Sequence, residues 1–354
     1  MSTTNHGQMA ARAPDRGGPA NAAEELAHRR HSPAQRVQHM LHAHPAASPT
    51  LLLLATAIVF TTLNARFADP STLSLLVQQT AIIAGLALGQ TLIILIAGID
   101  LSIGAITVLS VMVSAKLAAD NGVPGPLAIL IGVGVGMTCG CVNGALVTKI
   151  KLPPFIVTLG TLSIFTAIVL LYTHAVSFQS DALPSQMLWT GERIELGPIN
   201  ITTGVLMVGL LYLVVGFALT QTAWGRHVYS VGDDAEASRL AGISVNRVLF
   251  SVYAVAGVIY GVMAWVLIGR AGAASPNLVS TANLDTITAV VIGGTSLFGG
   301  RGGVLGTLMG ALTVGSFTLG LSLIGVDDQY RVLAVGVLVI AAVSVDQWIR
   351  QVKS

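Results

Sequence analysis

The chain has 354 residues, of which 53% are hydrophobic and only 10% are charged, against roughly 25% charged residues in an average soluble domain. This composition excludes an ordinary water-soluble protein, and the mean hydropathy of +0.77 indicates an integral membrane protein. The formal net charge of +2 does not identify a partner, because the side of the membrane on which each charge lies matters more than the sum.

Residues 1–48 form a polar segment that contains five arginines and six of the eight histidines. A signal peptide would carry its apolar run nearer the N-terminus, so the segment is predicted to be a cytoplasmic, disordered tail with one short helix over residues 22–42. Its histidines could bind a metal, but neighbouring arginines oppose a cation and no carboxylate or cysteine completes a site. A solvated tail is the favoured interpretation.

Long runs without Asp, Glu, Lys or Arg organise the rest of the chain. The runs at 70–99, 121–148, 152–180, 196–225 and 248–269 each exceed the roughly 20 residues that a helix needs to cross a bilayer. The sequence therefore predicts an all-α membrane protein with about ten transmembrane helices in a domain at residues 49–349. The predicted helices cover residues 49–67, 73–97, 101–119, 125–147, 154–172, 201–219, 248–269, 286–298, 303–323 and 332–345.

The eighth predicted helix, 286–298, is short for a span, at roughly 20 Å for a rise of about 1.5 Å per residue. It is either a half-helix or a longer helix that begins near Asp285. Ten spans put both termini on one side of the membrane, and thirteen of the eighteen Lys and Arg residues then fall on that side. Cytoplasmic loops carry such an excess, so both termini are predicted to be cytoplasmic.

Small residues recur at helical spacing. Glycine occupies positions 132, 136, 140 and 144, and the same spacing returns at 85/89, 257/261 and 302/306/310. A glycine stripe lets two helix backbones approach closely, so the sequence predicts a bundle packed on glycine. Cys139 and Cys141 lie on different faces of one helix and are predicted to pack rather than to form a disulfide or a metal site.

A break at residues 98–104 (GIDLSIG) separates the second and third predicted helices. Asp100 is the carboxylate lodged in this otherwise apolar stretch, and an ionisable residue inside the membrane is a candidate for function. The alternative is that Asp100 or Ser102 caps the third helix at the membrane edge. Farther on, the acidic loop 173–200 is long enough to meet a soluble partner.

A polar island at residues 232–242 (GDDAEASRLAG) lies within a predicted cytoplasmic loop, 221–248. Asp233 and Asp234 stand where a helix N-terminus favours negative charge, and Gly242 suits a C-terminal stop. The island is therefore predicted to form a short helix outside the bilayer. It serves either as a docking surface or as a solvated connector.

Motifs for catalysis are missing from the sequence. It contains no phosphate-binding GxxxxGK[ST] loop, no GxSxG and no HExxH, so an enzyme is not expected and any ATP must be hydrolysed by another subunit. An ion-coupled carrier needs buried ionisable groups, for which Asp100 and Asp285 are the candidates. Because Na⁺ can also be held by carbonyls and hydroxyls, that class stays open, as does a membrane scaffold that transports nothing.

Four blocks, in matching order, resemble the ribose-type monosaccharide permeases of ATP-binding-cassette (ABC) importers. They are GIDLSIG at 98–104, KLPPFIVTLGT at 151–161, the polar island at 232–242, and AVVIGGTSLFGGRG at 289–302. The third block is similar to the Glu-Ala-Ala-x-x-x-Gly loop by which such permeases grip their ATPase, with Ser238 in place of the second alanine. The resemblance covers about residues 50–350.

The resemblance implies a homodimer of permeases in a bacterial inner membrane. Its partners would be an ATPase, usually with tandem nucleotide-binding domains that use Mg-ATP, and a periplasmic sugar-binding protein. No cofactor in this chain and no nucleic acid is implied. Residues 224–226, 267–270 and 346–350 look nearest to fructose permeases, although the sequence does not name the sugar.

Three sets of site residues follow from the resemblance. The ATPase-coupling set is Gly232, Asp233, Glu236, Ala237, Arg239, Leu240 and Gly242. Gly300, Arg301 and Gly302 form a tight inner turn, in which Arg301 meets lipid phosphate, the ATPase or water. Candidates for the sugar path are Gln90, Asp100, Asn143, Thr158, Thr161 and Asp285, with interhelical hydrogen bonds as the alternative for the uncharged ones.

Overall fold

A computed structural model describes residues 47–279 and 282–351, and these residues are predominantly helical. The predicted tail at 1–48 lies almost entirely outside them. The helices are α1 Ala47–Leu63, α2 Pro70–Leu95, α3 Ile103–Ala119, α4 Gly125–Thr148, α5 Pro154–Thr173, α6 Ser185–Leu188, α7 Thr203–Gln221, α8 Ala223–Asp233, α9 Ala235–Leu240, α10 Val245–Ala271, α11 Ala282–Ile292, α12 Val304–Leu323 and α13 Asp328–Gln351.

Each predicted membrane helix has a counterpart, with shifted ends. Among the described residues, six helices are long and apolar enough to cross a membrane, namely α2, α4, α5, α7, α10 and α12. The apolar helical segments of α1, α3, α11 and α13 are shorter. The eighth predicted helix is displaced: α11 begins at Ala282 and ends at Ile292, not at residue 298.

The structure corrects the all-helical prediction at the end of the bundle that carries the 173–202 region. Strands β2 Arg193–Leu196 and β3 Ile199–Thr202 form an antiparallel hairpin, so Ile201 belongs to a strand and α7 begins only at Thr203. A second antiparallel pair joins β1 Phe178–Gln179 to β4 Ala273–Ala274. The β1–β4 pair joins the loop after α5 to the loop after α10.

Glycine packs α4 directly against α10, as the sequence predicts. A Cβ on Gly136 would stand 2.8 Å from the backbone nitrogen of Gly261, and one on Gly257 would stand 3.1 Å from Cα of Gly140. No larger side chain fits at either contact without separation of the helices. On the other side of α10, Gly85 of α2 meets the side chain of Met263.

Helix burial divides the bundle into a core and a periphery. In the most apolar 18-residue stretch of each helix, 67% of the residues are buried in α2 and α10, but only 28% are buried in α5 and α7. The exposed faces of α5 and α7 carry large apolar side chains, including Leu171 and Leu213. In a membrane protein such faces meet lipid or another subunit, so α2 and α10 form the centre of the chain.

Two interruptions between helices, the segment before α3 and the segment before α11, meet within the thickness of the bundle. The 11 residues of α11 rise about 16 Å, roughly half of a 30 Å bilayer core, between the loop after α10 and the turn before α12. The backbone nitrogen of Gly104 donates to Oδ1 of Asn283 over 2.9 Å. The first turns of α3 and α11 therefore lie side by side inside the bundle.

Candidate functional site

The polar island contains the short helix that the sequence predicts. Oδ1 of Asp234 accepts hydrogen bonds from the backbone nitrogens of Glu236 and Ala237, each at 2.9 Å, and so caps α9. Gly242 has φ +84° and its nitrogen donates to the carbonyl of Arg239. These contacts confirm the acidic cap. The left-handed φ of Gly242, which costs glycine little, confirms the glycine stop.

The outer face of α9 is open to solvent. Leu240 is 83% exposed, and Asp233 and Ala237 are also exposed. Glu236 and Arg239 form an ion pair at 2.8 Å, with their side chains 67% and 62% exposed, so the pair contributes only about 0–1 kcal/mol to stability. This face leaves two charges and one large apolar side chain available to a partner.

Gly232 lies elsewhere than expected. It belongs to α8 and is buried, and a Cβ at this position would stand 2.7 Å from the nitrogen of Gly300 and 2.9 Å from the carbonyl carbon of Leu95. Within this chain Gly232 therefore packs α8 onto the bundle and is not part of the exposed surface. A hydrogen bond of 2.7 Å between the hydroxyls of Ser230 and Ser238 joins α8 to α9.

The predicted inner turn is tight and glycine-dependent. Gly299, Gly300 and Gly302 all have positive φ, at +84°, +69° and +135°, and the nitrogen of Gly300 donates to the carbonyl of Leu95 over 3.0 Å. The Tyr229 hydroxyl of α8 donates to the carbonyl of Gly302 at 3.0 Å. Burial raises the pKa of Tyr229, which keeps its phenol protonated as a donor.

Arg301 is exposed at the tip of this turn, and its partner stays a prediction. The end of α2, the end of α8 and the turn at 299–302 thus meet in one backbone junction. We call the end of the bundle that carries this junction and α9 the α9 end.

Asp100 is buried in the fold and is only 1% exposed. Its Oδ1 accepts hydrogen bonds from the nitrogen of Ser102 at 2.7 Å and from the Ser102 hydroxyl at 2.6 Å. Nδ2 of Asn143 donates to the same hydroxyl over 2.9 Å. The alternative of a side-chain cap by Asp100 or Ser102 is wrong, since Ser102 stands directly before α3 but no side chain makes a cap bond to that helix. Asp100 instead holds the break 96–102 in shape and links it to α4.

The other proposed path residues lie inside the bundle. The Thr158 hydroxyl donates to the carbonyl of Ile99 at 3.0 Å, and Thr161 makes a long bond of 3.4 Å within α5. Gln90 is fully buried, and its amide has no hydrogen-bond partner in the described part of the chain. Asp285 lies half-buried in the first turn of α11.

None of the six path candidates lines any of the four cavities described in this structure. A hydrogen bond within the bundle accounts for Thr158, as the alternative interpretation holds. Nδ2 of Asn143 donates to Ser102, but its buried Oδ1 has no partner in the described part of the chain. A sugar-path role for the six stays a prediction.

Sequence reasoning missed a cavity of about 230 Å³ between α3, α5 and the segment that leads into α11. Its polar side chains are Thr166, Asn277 and Asn283, and Gly104 contributes backbone. The break at 98–104 is a sequence feature that indicates the α3 wall of the cavity. No feature near Asn283 in the sequence indicates that this residue lies beside the break. In the described ranges, no group of three or more His, Cys, Asp or Glu residues could hold a metal.

The comparisons with known proteins agree with the motif blocks. Residues 72–343 match a family described as branched-chain amino acid transport system / permease component. The fructose import permease protein FrcC of Rhizobium meliloti is 46% identical over 322 residues, which cover 90% of this chain and 89% of that protein. No solved structure matches.

Further relatives carry other sugar names. The ribose import permease protein RbsC of Bacillus subtilis is 36% identical over 84% of this chain and 92% of its own length. The xylose transport system permease protein XylH of Escherichia coli is 32% identical over 83% of this chain and 89% of its own length. The predicted resemblance to the ribose and fructose type of permease is confirmed. The apolar helices show that the chain is a multi-pass membrane protein. Because residues 72–343 match the family model, the chain belongs to the branched-chain amino acid transport system / permease component family.

Proposed function

We propose that this chain is the permease subunit of an ATP-driven importer that translocates a monosaccharide of the fructose or ribose type. The observation that carries the proposal is the 46% identity to a fructose import permease over nine-tenths of the chain. The ribose and xylose names of other relatives favour a monosaccharide over a larger sugar.

Coupling to an ATPase is assigned to α9. Its capped helix presents Glu236, Ala237, Arg239 and Leu240 outward, while α8 anchors it to the backbone junction through Gly232. The chain has no phosphate-binding loop of its own, so a separate ATPase, with tandem nucleotide-binding domains, would bind and hydrolyse Mg-ATP. Motion of that subunit would reach the bundle through α9 and α8.

The remaining partners follow from the same assignment. A second copy of the permease would complete the membrane unit, and a periplasmic binding protein would deliver the sugar to the side opposite α9. The six long apolar helices of the described ranges, together with the four shorter ones, would all take part in a domain in the bacterial inner membrane. Both termini would then lie in the cytoplasm, where most Lys and Arg fall.

An ion-coupled carrier is the second candidate. Asp100 is the ionisable group that favours it, but Oδ1 of Asp100 already accepts two hydrogen bonds from Ser102. The names of the relatives also favour the importer.

Reconstitution tests the two candidates directly. Liposomes that contain the permease with its ATPase and binding protein should accumulate D-fructose or D-ribose only when Mg-ATP is present on the ATPase side. Liposomes with the permease alone should accumulate neither sugar under a Na⁺ or proton gradient. Accumulation by the lone permease would replace the importer with the carrier.

A further inference from the structure

The cavity between α3 and α5 brings three polar side chains to one space inside the bundle. Thr166, Asn277 and Asn283 line it together with apolar groups of α3 and α5. Three other cavities in the described ranges adjoin exposed apolar side chains such as Phe217, Leu130 and Ile168, and this cavity also borders the exposed Leu170. Apolar surfaces suit lipid, whereas the amide and hydroxyl groups gathered in this cavity can bind a polar occupant.

Hydrogen-bonding capacity remains in this cavity. Asn283 uses Oδ1 to accept from Gly104, and its amide nitrogen makes no hydrogen bond to the part of the chain that the structure describes. The exposed amide of Asn277 makes none to the same residues. The Thr166 hydroxyl donates to the carbonyl of Leu162 at 2.7 Å, which leaves its oxygen free to accept.

Size and chemistry select the occupant. The volume of about 230 Å³ is below the roughly 300–1,000 Å³ of pockets for drug-sized ligands, so it suits a single small ring rather than two. Amide donors and acceptors beside Leu162, Val108 and Pro276 match a molecule with a ring of hydroxyls and apolar C–H faces. Among the described residues that line the cavity there is no carboxylate or cation, which disfavours a charged ligand.

Two contacts join the α3 side of the cavity to α5. Near the end of α5 opposite α9, Nζ of Lys116 donates to the carbonyl of Tyr172 over 2.7 Å and lies 4.8 Å from the centre of its ring. Toward the α9 end, Thr158 of α5 bonds Ile99 of the break before α3. The two helices are thus fastened on both sides of the cavity.

We propose that this cavity, with Thr166, Asn277 and Asn283 as its polar contacts, is a transient binding site for a monosaccharide on its way through the membrane. The proposal rests on the importer function above, and it replaces the buried residues Gln90, Asn143 and Thr158 as direct sugar contacts. Half-helix ends that meet at mid-membrane are a frequent setting for transport sites.

The test uses the complete transporter with its ATPase and binding protein in liposomes, with radiolabelled D-fructose and D-ribose as probes. T166L fills the cavity and removes its hydroxyl, and we expect the maximal uptake rate to fall by about tenfold or more. T138L is the matched control, because Thr138 is an exposed threonine that makes the same bond to the residue four positions earlier, at 2.7 Å, and faces an apolar cavity. N277A should raise the KM for sugar about threefold to tenfold.

A second measurement does not depend on uptake. With Cys139 and Cys141 replaced by alanine, a charged membrane-impermeant thiosulfonate should label T166C but not T138C, and sugar supplied during ATP turnover should slow the labelling of T166C. If the wild-type transporter imports sugar but T166L behaves like T138L, or if T166C is not labelled, the cavity proposal is wrong and the importer assignment stands. If the wild-type complex imports neither probe, the importer assignment itself fails.

Discussion

The two short helices of the polar segment, α8 and α9, differ in almost every physical respect although they are adjacent in the chain. Helix α8 buries Val228, Val231 and Gly232 against the bundle, whereas α9 buries only Ser238 among its six residues. One helix is fixed to the backbone junction, and the other is presented to solvent. The contrast teaches that anchoring and docking are divided between neighbouring helices, so mutations should separate the two roles.

The largest effect should come from breaking the anchor. In G232L the new side chain would collide with the backbone of Leu95 and Gly300, and such overpacking costs about 1–3 kcal/mol or more. We expect little folded permease in the membrane, measured by fluorescence-detected size-exclusion chromatography. G209L is the control, since nothing lies within 4 Å of a Cβ there; equal yields of the two variants would refute the anchoring role of Gly232.

A charge reversal on the exposed helix should abolish uptake without affecting folding. In E236K the ion pair with Arg239 is replaced by a repulsion, which costs the isolated permease about 0–1 kcal/mol. We expect normal insertion, loss of sugar uptake and weaker retention of the ATPase on affinity resin. E195K, a reversal at an exposed glutamate of β2 on the hairpin, should leave ATPase retention at the wild-type level, and uptake by E236K at the wild-type rate would contradict the docking role.

The stop of α9 should tolerate change less well than its open surroundings suggest. No atom lies within 4 Å of a Cβ at Gly242, but its φ of +84° is left-handed and costs other residues about 1–2 kcal/mol. We expect G242D to reduce ATPase binding and uptake strongly while the protein remains in the membrane. G122D repeats the change at another open glycine with φ +64°, on the loop before α4, and its ATPase binding should be normal; an equal loss in both variants would make the effect nonspecific.

The smallest effect should follow from loosening the contact between the two helices. S238A removes the 2.7 Å bond to Ser230, for a loss of about 0.5–1.5 kcal/mol, and restores the alanine of the related loop pattern. We expect a modest fall in sugar-stimulated ATP hydrolysis. Because S230A removes the same bond, the double variant should be no worse than either single one, and additive losses would show that the two serines act separately.

Local signals in the sequence predicted the local features of the structure. The acidic cap at Asp234 and the stop at Gly242 depend on residues that are neighbours in the chain. The glycine stripes of α4 and α10 were equally readable, because a four-residue period defines a helix face before the partner helix is known.

Features that depend on distant contacts were not predicted. The burial of Gly232 depends on Gly300 and Leu95, and the interior position of Asp100 depends on a break that turns back into the bundle. The β2–β3 hairpin is a different case, since polar and apolar residues alternate on both sides of Gly197, which has φ +65°. Such alternation is typical of a β-hairpin, and the hairpin replaces part of the loop expected at 173–200.

The fastening of α3 to α5 at Lys116–Tyr172 and Thr158–Ile99 has a consequence for selectivity. Two contacts between the walls limit the cross-section of a molecule that can lie between α3 and α5. The amide and hydroxyl groups of Asn277, Asn283 and Thr166 can each accept hydrogen bonds, so we expect them to accommodate more than one arrangement of hydroxyls around a ring. On the proposed site, we expect a chain similar to permeases named for fructose, ribose, allose and xylose to admit more than one monosaccharide.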